Sequence, residues 1–119
     1  MTRIVAGIDA GVTSVKVAII DDKGKLVSSG KGPGVNPYII GLRKTALRIT
    51  GTLEKLSRFD KLNFATFGVT GMSTTGMIRE LARTLSTVSR IRRLRVVRDS
   101  DVAPVSYTHL RAHETGRKL

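Results

Sequence analysis

The sequence of 119 residues lacks cysteine and tryptophan altogether, and aromatic residues make up only 4% of it. Without cysteine, the residues present can form no disulfide, no thiolate metal site and no thiol nucleophile. No apolar run approaches the roughly 20 residues that cross a bilayer. Asp9 also interrupts the start of the chain before the apolar stretch of a signal peptide is complete. These absences predict one small, soluble, cytoplasmic domain with no membrane span.

Acidic residues are scarce as well, nine against 21 lysines and arginines, which gives a formal net charge of +12. The excess lies late in the chain, in the arginines Arg79, Arg83, Arg90, Arg92, Arg93, Arg95 and Arg98. Such a balance raises nucleic acid as a partner. Because base stacking needs aromatic side chains and few are present, a solvated helix end and strand edge is the preferred interpretation. A non-catalytic nucleic-acid-binding module stays open as the alternative.

The first third of the chain has the pattern of an antiparallel meander. Two short runs rich in isoleucine and valine, Arg3 to Ile8 and Val15 to Ile20, predict two strands joined by a tight glycine-containing turn. The Asp-Asp-Lys-Gly sequence at 21–24 predicts a hairpin turn, so Lys25 to Ser29 should return as a third strand. The glycines and prolines of residues 30–37 predict a stiff, exposed loop.

Helical periodicity follows this loop. Apolar residues recur every three or four positions from Ile39 to about Phe59, which predicts an amphipathic helix that includes Ile39 in its apolar face and is weakened at Gly51. The short apolar stretch from Asn63 to Val69 predicts a buried strand. Thr74 or Thr75 is then placed to cap a second helix with an apolar face.

The order of these elements predicts the fold class. Leu94 to Val97 adds a last strand that stops at Asp99, so the whole order is β-β-β-α-β-α-β. Because a strand-helix-strand connection usually leaves its two strands parallel, while a hairpin makes them antiparallel, we predict an α/β layer with a mixed sheet.

The last residues have the pattern of a foreign tail. Residues 106–114, Ser-Tyr-Thr-His-Leu-Arg-Ala-His-Glu, closely resemble an in-frame translation of the adapter DNA of transposase-based sequencing libraries, in which TCT TAT ACA CAT CTC CGA GCC CAC GAG encodes them. We therefore interpret residues 104–119 as a non-native tail appended to a truncated gene, and residues 1–103 as the natural part. On this interpretation the two histidines of the tail form no metal site.

The turn between the first two strands carries the residues that best suit chemistry. In Asp-Ala-Gly-Val-Thr-Ser at 9–14, a carboxylate at a strand end precedes a glycine and two hydroxyls. Asp9 can hold a hydrated Mg²⁺, while the backbone N–H groups of the turn and the Thr13 hydroxyl bind phosphate oxygens. The residues alone leave an ordinary hairpin turn open as the alternative.

Three segments in sequence order resemble the sugar kinase, Hsp70 and actin superfamily, and most of all its BadF/BadG/BcrA/BcrD ATPase family, which includes N-acetylglucosamine kinases. Asp9 to Ser14 resembles the first phosphate motif of the superfamily. Gly30 to Asn36 resembles the loop whose asparagine contacts the sugar in N-acetylglucosamine kinases. Arg95 to Ala103 resembles a later Val-Val-Asn-Asp-Ala-x-Ala segment, with Asp99 at the position of the catalytic aspartate.

This resemblance implies a ribonuclease H-like mixed sheet, the first domain of an actin-like ATPase fold. It implies a parent enzyme that uses ATP and Mg²⁺ to phosphorylate a small sugar, N-acetylglucosamine or glucosamine, and that forms a homodimer in its full-length form. The implied site residues are Asp99 as catalytic base, Asp9 as Mg²⁺ ligand, Gly11, Val12, Thr13 and Ser14 as the phosphate-binding turn, and Asn36 as sugar ligand.

The sequence departs from the family pattern at three positions. Ala10 and Val12 stand where glycines are common, and the Val12 side chain is expected to crowd a phosphate. Arg98 replaces an asparagine and places a positive charge beside Asp99, which favours the ionised carboxylate. The adenosine motif and the second domain of the family are missing, so the chain offers half of a nucleotide site. A related alternative is the ATPase that activates 2-hydroxyacyl-CoA dehydratase or benzoyl-CoA reductase, but the Gly-Pro-Gly-Val-Asn sequence at 32–36 favours the kinase.

Overall fold

The computed structural model of the chain describes residues 3–58, 62–72, 74–91 and 93–98. The elements within these residues are β1 Ile4–Ala10, β2 Ser14–Asp21, β3 Leu26–Pro33, α1 Pro37–Glu54, β4 Leu62–Val69, α2 Thr75–Ser89 and β5 Leu94–Arg98. The predicted order β-β-β-α-β-α-β is therefore confirmed. Asp99 and the tail of residues 104–119 lie outside the described residues. Neither of the helices described is long and apolar enough to cross a membrane.

The five described strands form one mixed sheet in the order β3-β2-β1-β4-β5. β1, β2 and β3 are antiparallel neighbours, as the meander pattern predicts, whereas β1, β4 and β5 are parallel. Parallel neighbours end at the same edge of a sheet. Ala10, Val69 and Arg98 consequently stand side by side in register at the ends of three strands. We name this end of the sheet, where the parallel strands β1, β4 and β5 finish, the carboxyl edge.

One face of the sheet packs against both helices. Along β1, Ala6, Ile8 and Ala10 are buried, while Gly7 and Asp9 between them are only half-buried. Because side chains alternate across a strand, Asp9 projects from the face opposite the helical layer. The buried face joins the apolar side chains of α1 and α2 in a single core, whose largest fully buried side chain is Phe67.

The third strand is longer than the sequence predicts. β3 continues through Gly30 and Gly32 to Pro33 and stays paired with β2, so the prediction of a loop from residue 30 was wrong for these positions. Proline is tolerated because β3 is an edge strand that pairs on one side only. The glycines permit close packing of α1, since a Cβ on Gly32 would overlap the Thr52 side chain and one on Gly30 would lie 3.1 Å from Leu56.

The first helix is broken at Gly41, a position that the sequence pattern did not single out. Gly41 has φ 85° and ψ 165°, a conformation that is nearly exclusive to glycine, whereas Gly51 lies within the regular part of α1. The helix is therefore kinked at Gly41, and residues 37–40 do not continue the axis of the rest of α1. Ile39 is consequently 79% exposed, and its predicted place in the apolar face was wrong. α1 ends at Glu54, before the predicted end near Phe59.

The second helix follows its predicted pattern. Thr74 is the N-cap, and its Oγ1 accepts a hydrogen bond of 3.1 Å from the Met77 N–H. Leu81 and Leu85 are buried on the apolar face. The helix is closed by Arg90 in the left-handed conformation, with φ 60°, the single described non-glycine residue with positive φ.

The two glycines of α1 give a direct test of this account. A Cβ on Gly41 or on Gly51 would meet no atom within 4 Å in the described part of the chain, so sterics with neighbours do not distinguish them. Gly51→Ala should raise the free energy of unfolding by about 0.5–1 kcal/mol, because alanine is the better helix former. Gly41→Ala should lower it by about 1 kcal/mol or more, because its φ is positive. Urea unfolding of both variants measures the two signs, and equal signs would contradict the break at Gly41.

Candidate functional site

The turn between β1 and β2 is closed by a backbone hydrogen bond from the Gly11 N–H to the Ser14 carbonyl, 2.9 Å long. Val12 and Thr13 form its exposed tip, and Val12 is 60% exposed. The Gly11 N–H is therefore occupied within the turn. The N–H groups of Val12 and Thr13 make no hydrogen bond to any described residue, so they are the backbone donors that the tip presents.

Residues 34–36 close over this turn. The Val35 N–H donates to the Gly11 carbonyl at 2.9 Å. Gly34 lies so close to the turn that a Cβ on it would overlap the backbone of Val12. Arg48 of α1 also holds this loop, because its Nη1 donates a hydrogen bond to the Gly34 carbonyl at 3.1 Å. The sequence prediction included Gly34 in the sugar-binding loop but missed its contact with the turn, and it missed Arg48 altogether, since only the folded chain shows these contacts.

The end of β4 reaches the same place from the other side. The Thr70 N–H donates to the Ala10 carbonyl at 3.0 Å, directly before the 11–14 turn. Residues 70–72 then leave β4, and α2 begins shortly afterwards with Thr74 as its N-cap. Three segments thus meet at the carboxyl edge, the 11–14 turn, the 34–36 loop and the beginning of α2.

Asp9 lies two residues before the turn and is half-buried. It stands opposite Lys16 of β2 in the antiparallel register and beside Gly68 of β4 in the parallel register. Residues in register project from the same face of a sheet, so Lys16 brings a positive charge to the face that carries Asp9. Lys16 was not predicted as a site residue, although the spacing of the hairpin could have indicated it.

Asn36 is the N-cap of α1. Its Oδ1 accepts a hydrogen bond of 3.1 Å from the Tyr38 N–H, which satisfies one of the free donors at the helix start. The oxygen of the side chain therefore serves the helix, and the amide nitrogen is the group with which Asn36 can donate to a ligand. Asn36 follows directly after Val35, which is bound to the 11–14 turn, so the structure brings these two predicted segments together.

Tyr38 forms an exposed rim beside this loop. Its hydroxyl lies 3.4 Å from the Met77 Sδ, and a Cβ on Gly71 would lie 3.4 Å from the ring. Tyr38 as a whole is nevertheless 61% exposed. It connects the start of α1 to the start of α2 across the carboxyl edge. The sequence prediction assigned no role to it.

The described carboxylate whose pKa departs clearly from its ordinary value lies away from this site. The backbone N–H of Lys25 and then that of Lys23 donate to Asp21 Oδ1, each at 2.9 Å, and they lower the pKa of Asp21. Asp21 pairs with Ile4, the first residue of β1, at the end of the sheet opposite the carboxyl edge. Its hydrogen bonds therefore stabilise the β2–β3 hairpin and take no part in the site.

The proposed catalytic base, Asp99, lies outside the described residues. β5 ends at the preceding residue, Arg98, which stands at the carboxyl edge beside Val69. Among the described residues, no group of three or more histidine, aspartate or glutamate side chains is arranged to hold a metal ion. The described part of the site is thus a set of backbone donors and hydroxyls with one carboxylate, Asp9, and one lysine, Lys16.

No family model and no curated protein matches the sequence. Among solved structures, the chain is similar to a protein described as an N-acetylglucosamine kinase from Porphyromonas gingivalis, with a TM-score of 0.62 and 15% identity over 82% of this chain and 34% of that one. It is similar to the inorganic polyphosphate/ATP-glucomannokinase of Arthrobacter sp. strain KM, with a TM-score of 0.59 and 21% identity over 91% of this chain and 49% of that one. A Ppx/GppA family member of Aquifex aeolicus gives a TM-score of 0.53 and 19% identity over 98% of this chain and 42% of that one.

At these identities the likeness shows the fold. The described sheet is the ribonuclease H-like mixed sheet of the actin-like ATPase fold, as predicted. The chain spans less than half the length of each of these three proteins. Membership of the BadF/BadG/BcrA/BcrD family stays a prediction.

Gly34→Ala tests whether the loop and the turn depend on each other. The added Cβ would overlap the Val12 backbone, so we expect the free energy of unfolding to fall by about 1–3 kcal/mol. Gly11→Ala is the matched control, because its Cβ would meet the Ser14 carbonyl oxygen at an ordinary 3.4 Å. Its effect should stay within about 0.5 kcal/mol. Denaturant unfolding compares the two, and equal losses would show that the approach of Gly34 to the turn is not tight.

Proposed function

We propose that the chain is the N-terminal part of an ATP-dependent sugar kinase, which transfers the γ-phosphate of ATP to a hydroxyl of N-acetylglucosamine or glucosamine. The observation that carries this proposal is the junction of the 11–14 turn with the 34–36 loop at the carboxyl edge. Two of the proteins with a similar fold are described as kinases that act on sugars, which supports it. Residues 104–119, as an adapter-encoded tail, take no part in this function.

The 11–14 turn holds phosphate in this proposal. The N–H groups of Val12 and Thr13 are its backbone donors, and the hydroxyls of Thr13 and Ser14 add two more. Gly11 contributes by closing the turn, because its own N–H is bound to Ser14. Lys16 adds a positive charge that neutralises phosphate charge from the Asp9 face. Val12 stands where the family commonly has glycine, and its exposed side chain is expected to crowd the phosphate at this turn.

The donor set of the site fits Mg²⁺ rather than a metal that needs a cage of protein ligands. In nucleotide sites Mg²⁺ keeps several waters and takes one or two carboxylates together with phosphate oxygens. Asp9, half-buried at the end of β1 and next to the phosphate turn, is such a carboxylate. When bound, the ion neutralises charge on the phosphates as they are transferred.

The sugar side of the proposed site rests on Asn36 and Asp99. The amide nitrogen of Asn36 donates to a sugar hydroxyl while its oxygen keeps α1 capped. Asp99 accepts the proton of the sugar hydroxyl as the oxygen of that hydroxyl attacks the γ-phosphorus, and the bond between this phosphorus and the β-γ bridging oxygen breaks, so that ADP leaves. Its sequence neighbour Arg98 ends β5 at the carboxyl edge, two strands from Ala10, which supports a place for Asp99 at the same edge. Catalysis by such a site is mainly positioning and charge neutralisation.

Asn36→Asp separates the two roles of Asn36. Aspartate keeps the oxygen that caps α1 but loses the amide donor. In the complete protein that contains this chain, we expect the KM for the sugar to rise about tenfold or more, because a buried polar contact is lost, while the KM for ATP stays within about threefold. Asn36→Ala should add a loss of about 0.5–2 kcal/mol in the free energy of unfolding. Equal effects on both KM values would place Asn36 outside the sugar site.

Asp99→Asn tests the proposed base. The change keeps the shape of the side chain and removes its ability to take a proton, so turnover should fall by about 10²–10⁴ with sugar binding retained. Asp101→Asn, two residues further along, is the control and should keep turnover close to that of the unmodified protein. Steady-state kinetics and sugar titration give both quantities. Turnover within about tenfold after Asp99→Asn would remove Asp99 from the mechanism.

A further inference from the structure

Tyr38 is an exposed aromatic residue whose side chain is nevertheless held in place. Its hydroxyl lies 3.4 Å from the Sδ of Met77, in the first turn of α2. One edge of the ring lies against Gly71, because a Cβ there would come within 3.4 Å of Cε2 and 3.6 Å of Cδ2. Both contacts are made at the rim of the ring. They set its orientation, and neither of them covers a flat face.

The exposure of Tyr38 sets it apart from the other described aromatic residues. Phe67 is fully buried and Phe64 is half-buried, both in β4, whereas Tyr38 stands open at the carboxyl edge. Most of the accessible surface of a tyrosine belongs to its side chain, so a large amphipathic area is offered to a ligand. A ring that is already held loses little further freedom when a ligand binds to it.

The kink at Gly41 separates Tyr38 from the core-packing part of α1. Gly41 has φ 85° and ψ 165°, and the regular helix resumes only after it. Ala46 and Ile49 of the regular part are buried in the core, while Tyr38 and its neighbour Ile39 are both exposed. The chain thus uses a conformation that favours glycine to present the turn that carries Tyr38 outside the core.

The ring also belongs to the same short segment as the amide that the proposed function assigns to the sugar. The Tyr38 N–H donates to Asn36 Oδ1 at 3.1 Å, so the two residues are joined at the start of α1. A pyranose sugar presents hydroxyls around its rim and C–H groups on its faces. A hydrogen-bond donor beside an aromatic surface matches both kinds of group.

We propose that Tyr38 contacts the substrate directly, with its aromatic face stacked on the C–H face of the sugar ring while Asn36 donates to a sugar hydroxyl. This inference rests on the proposed sugar-kinase function and adds to it the residue that recognises the ring of the sugar. The stacking contact contributes affinity for the sugar and none for ATP. Adenine also stacks on tyrosine, but the bond between Tyr38 and Asn36 favours the sugar.

The test measures N-acetylglucosamine binding by titration without ATP, and the KM for each substrate, in the complete protein that contains this chain. Tyr38→Leu removes the ring, so sugar binding should weaken about tenfold while the KM for ATP stays within about threefold. Tyr38→Phe keeps the ring and loses only the hydroxyl contact with Met77, so sugar binding should stay within about threefold. Ile39→Ala, in the same exposed turn, is the matched control and should stay within about twofold.

Proton NMR supplies a readout that a purely structural role of Tyr38 would not change. The C–H protons of bound N-acetylglucosamine that lie over the aromatic face should shift upfield. This shift should be lost with Tyr38→Leu and kept with Tyr38→Phe. Circular dichroism checks that each variant folds.

The outcomes separate this inference from the function on which it rests. Sugar binding by Tyr38→Leu as tight as that of the unmodified protein would overturn the stacking contact and leave the sugar-kinase proposal intact. Equal losses in Tyr38→Leu and Tyr38→Phe would overturn it as well, because the hydroxyl contact with Met77 would then be the feature that matters. A rise in the KM for ATP alone would place the ring against adenine. An unmodified protein that neither binds nor phosphorylates a sugar would refute both proposals.

Discussion

A close approach between two segments of backbone holds the candidate site together. Gly34 lies against the Val12 backbone at a distance that leaves no room for a side chain, and the next residue, Val35, donates to the Gly11 carbonyl. Each segment therefore limits where the other can lie. Because Asn36 follows at once and begins α1, the same contact sets where the helix starts. The geometry of the turn, the loop and the first helix therefore depends on one glycine.

The direction of the strands decides what can gather around that contact. β1, β4 and β5 are parallel, so their last residues share one edge, and every segment that leaves them starts there. The 11–14 turn, the chain that leaves β4 at Thr70 and the end of β5 at Arg98 all lie at this edge for that reason. Positive charge lies near the same edge, in Lys16 and Arg98, and Asp9 is the described carboxylate in register with Lys16. Such a surface suits ligands rich in phosphate.

Local sequence pattern predicted the elements well and their exact extent less well. The meander follows from alternating isoleucine and valine, and the cap at Thr74 follows from its hydroxyl before an apolar period. The glycine at position 32 led to the wrong prediction of a loop. It lies in β3 because α1 packs too closely for a side chain there, and no local pattern reveals this contact. Gly41 and Gly51 look alike in the sequence, and only the path of the chain decides which one breaks the helix. In the site, the turn was visible as a motif, but its partner Gly34 became visible only through tertiary contact.

The central strand β1 pairs with neighbours at very different distances along the chain. β2 follows it through a short turn, whereas β4 comes after β3 and α1, and the Ile4 N–H reaches Asn63 Oδ1 across 59 positions. Closing a long loop costs more entropy than closing a short one, so we expect the three-stranded meander to form early and β4 to join late. Until then, β1 presents unpaired backbone groups along one side, which is where another unfolded chain could attach. The arrival of β4 is therefore the folding step that removes the main opportunity for aggregation.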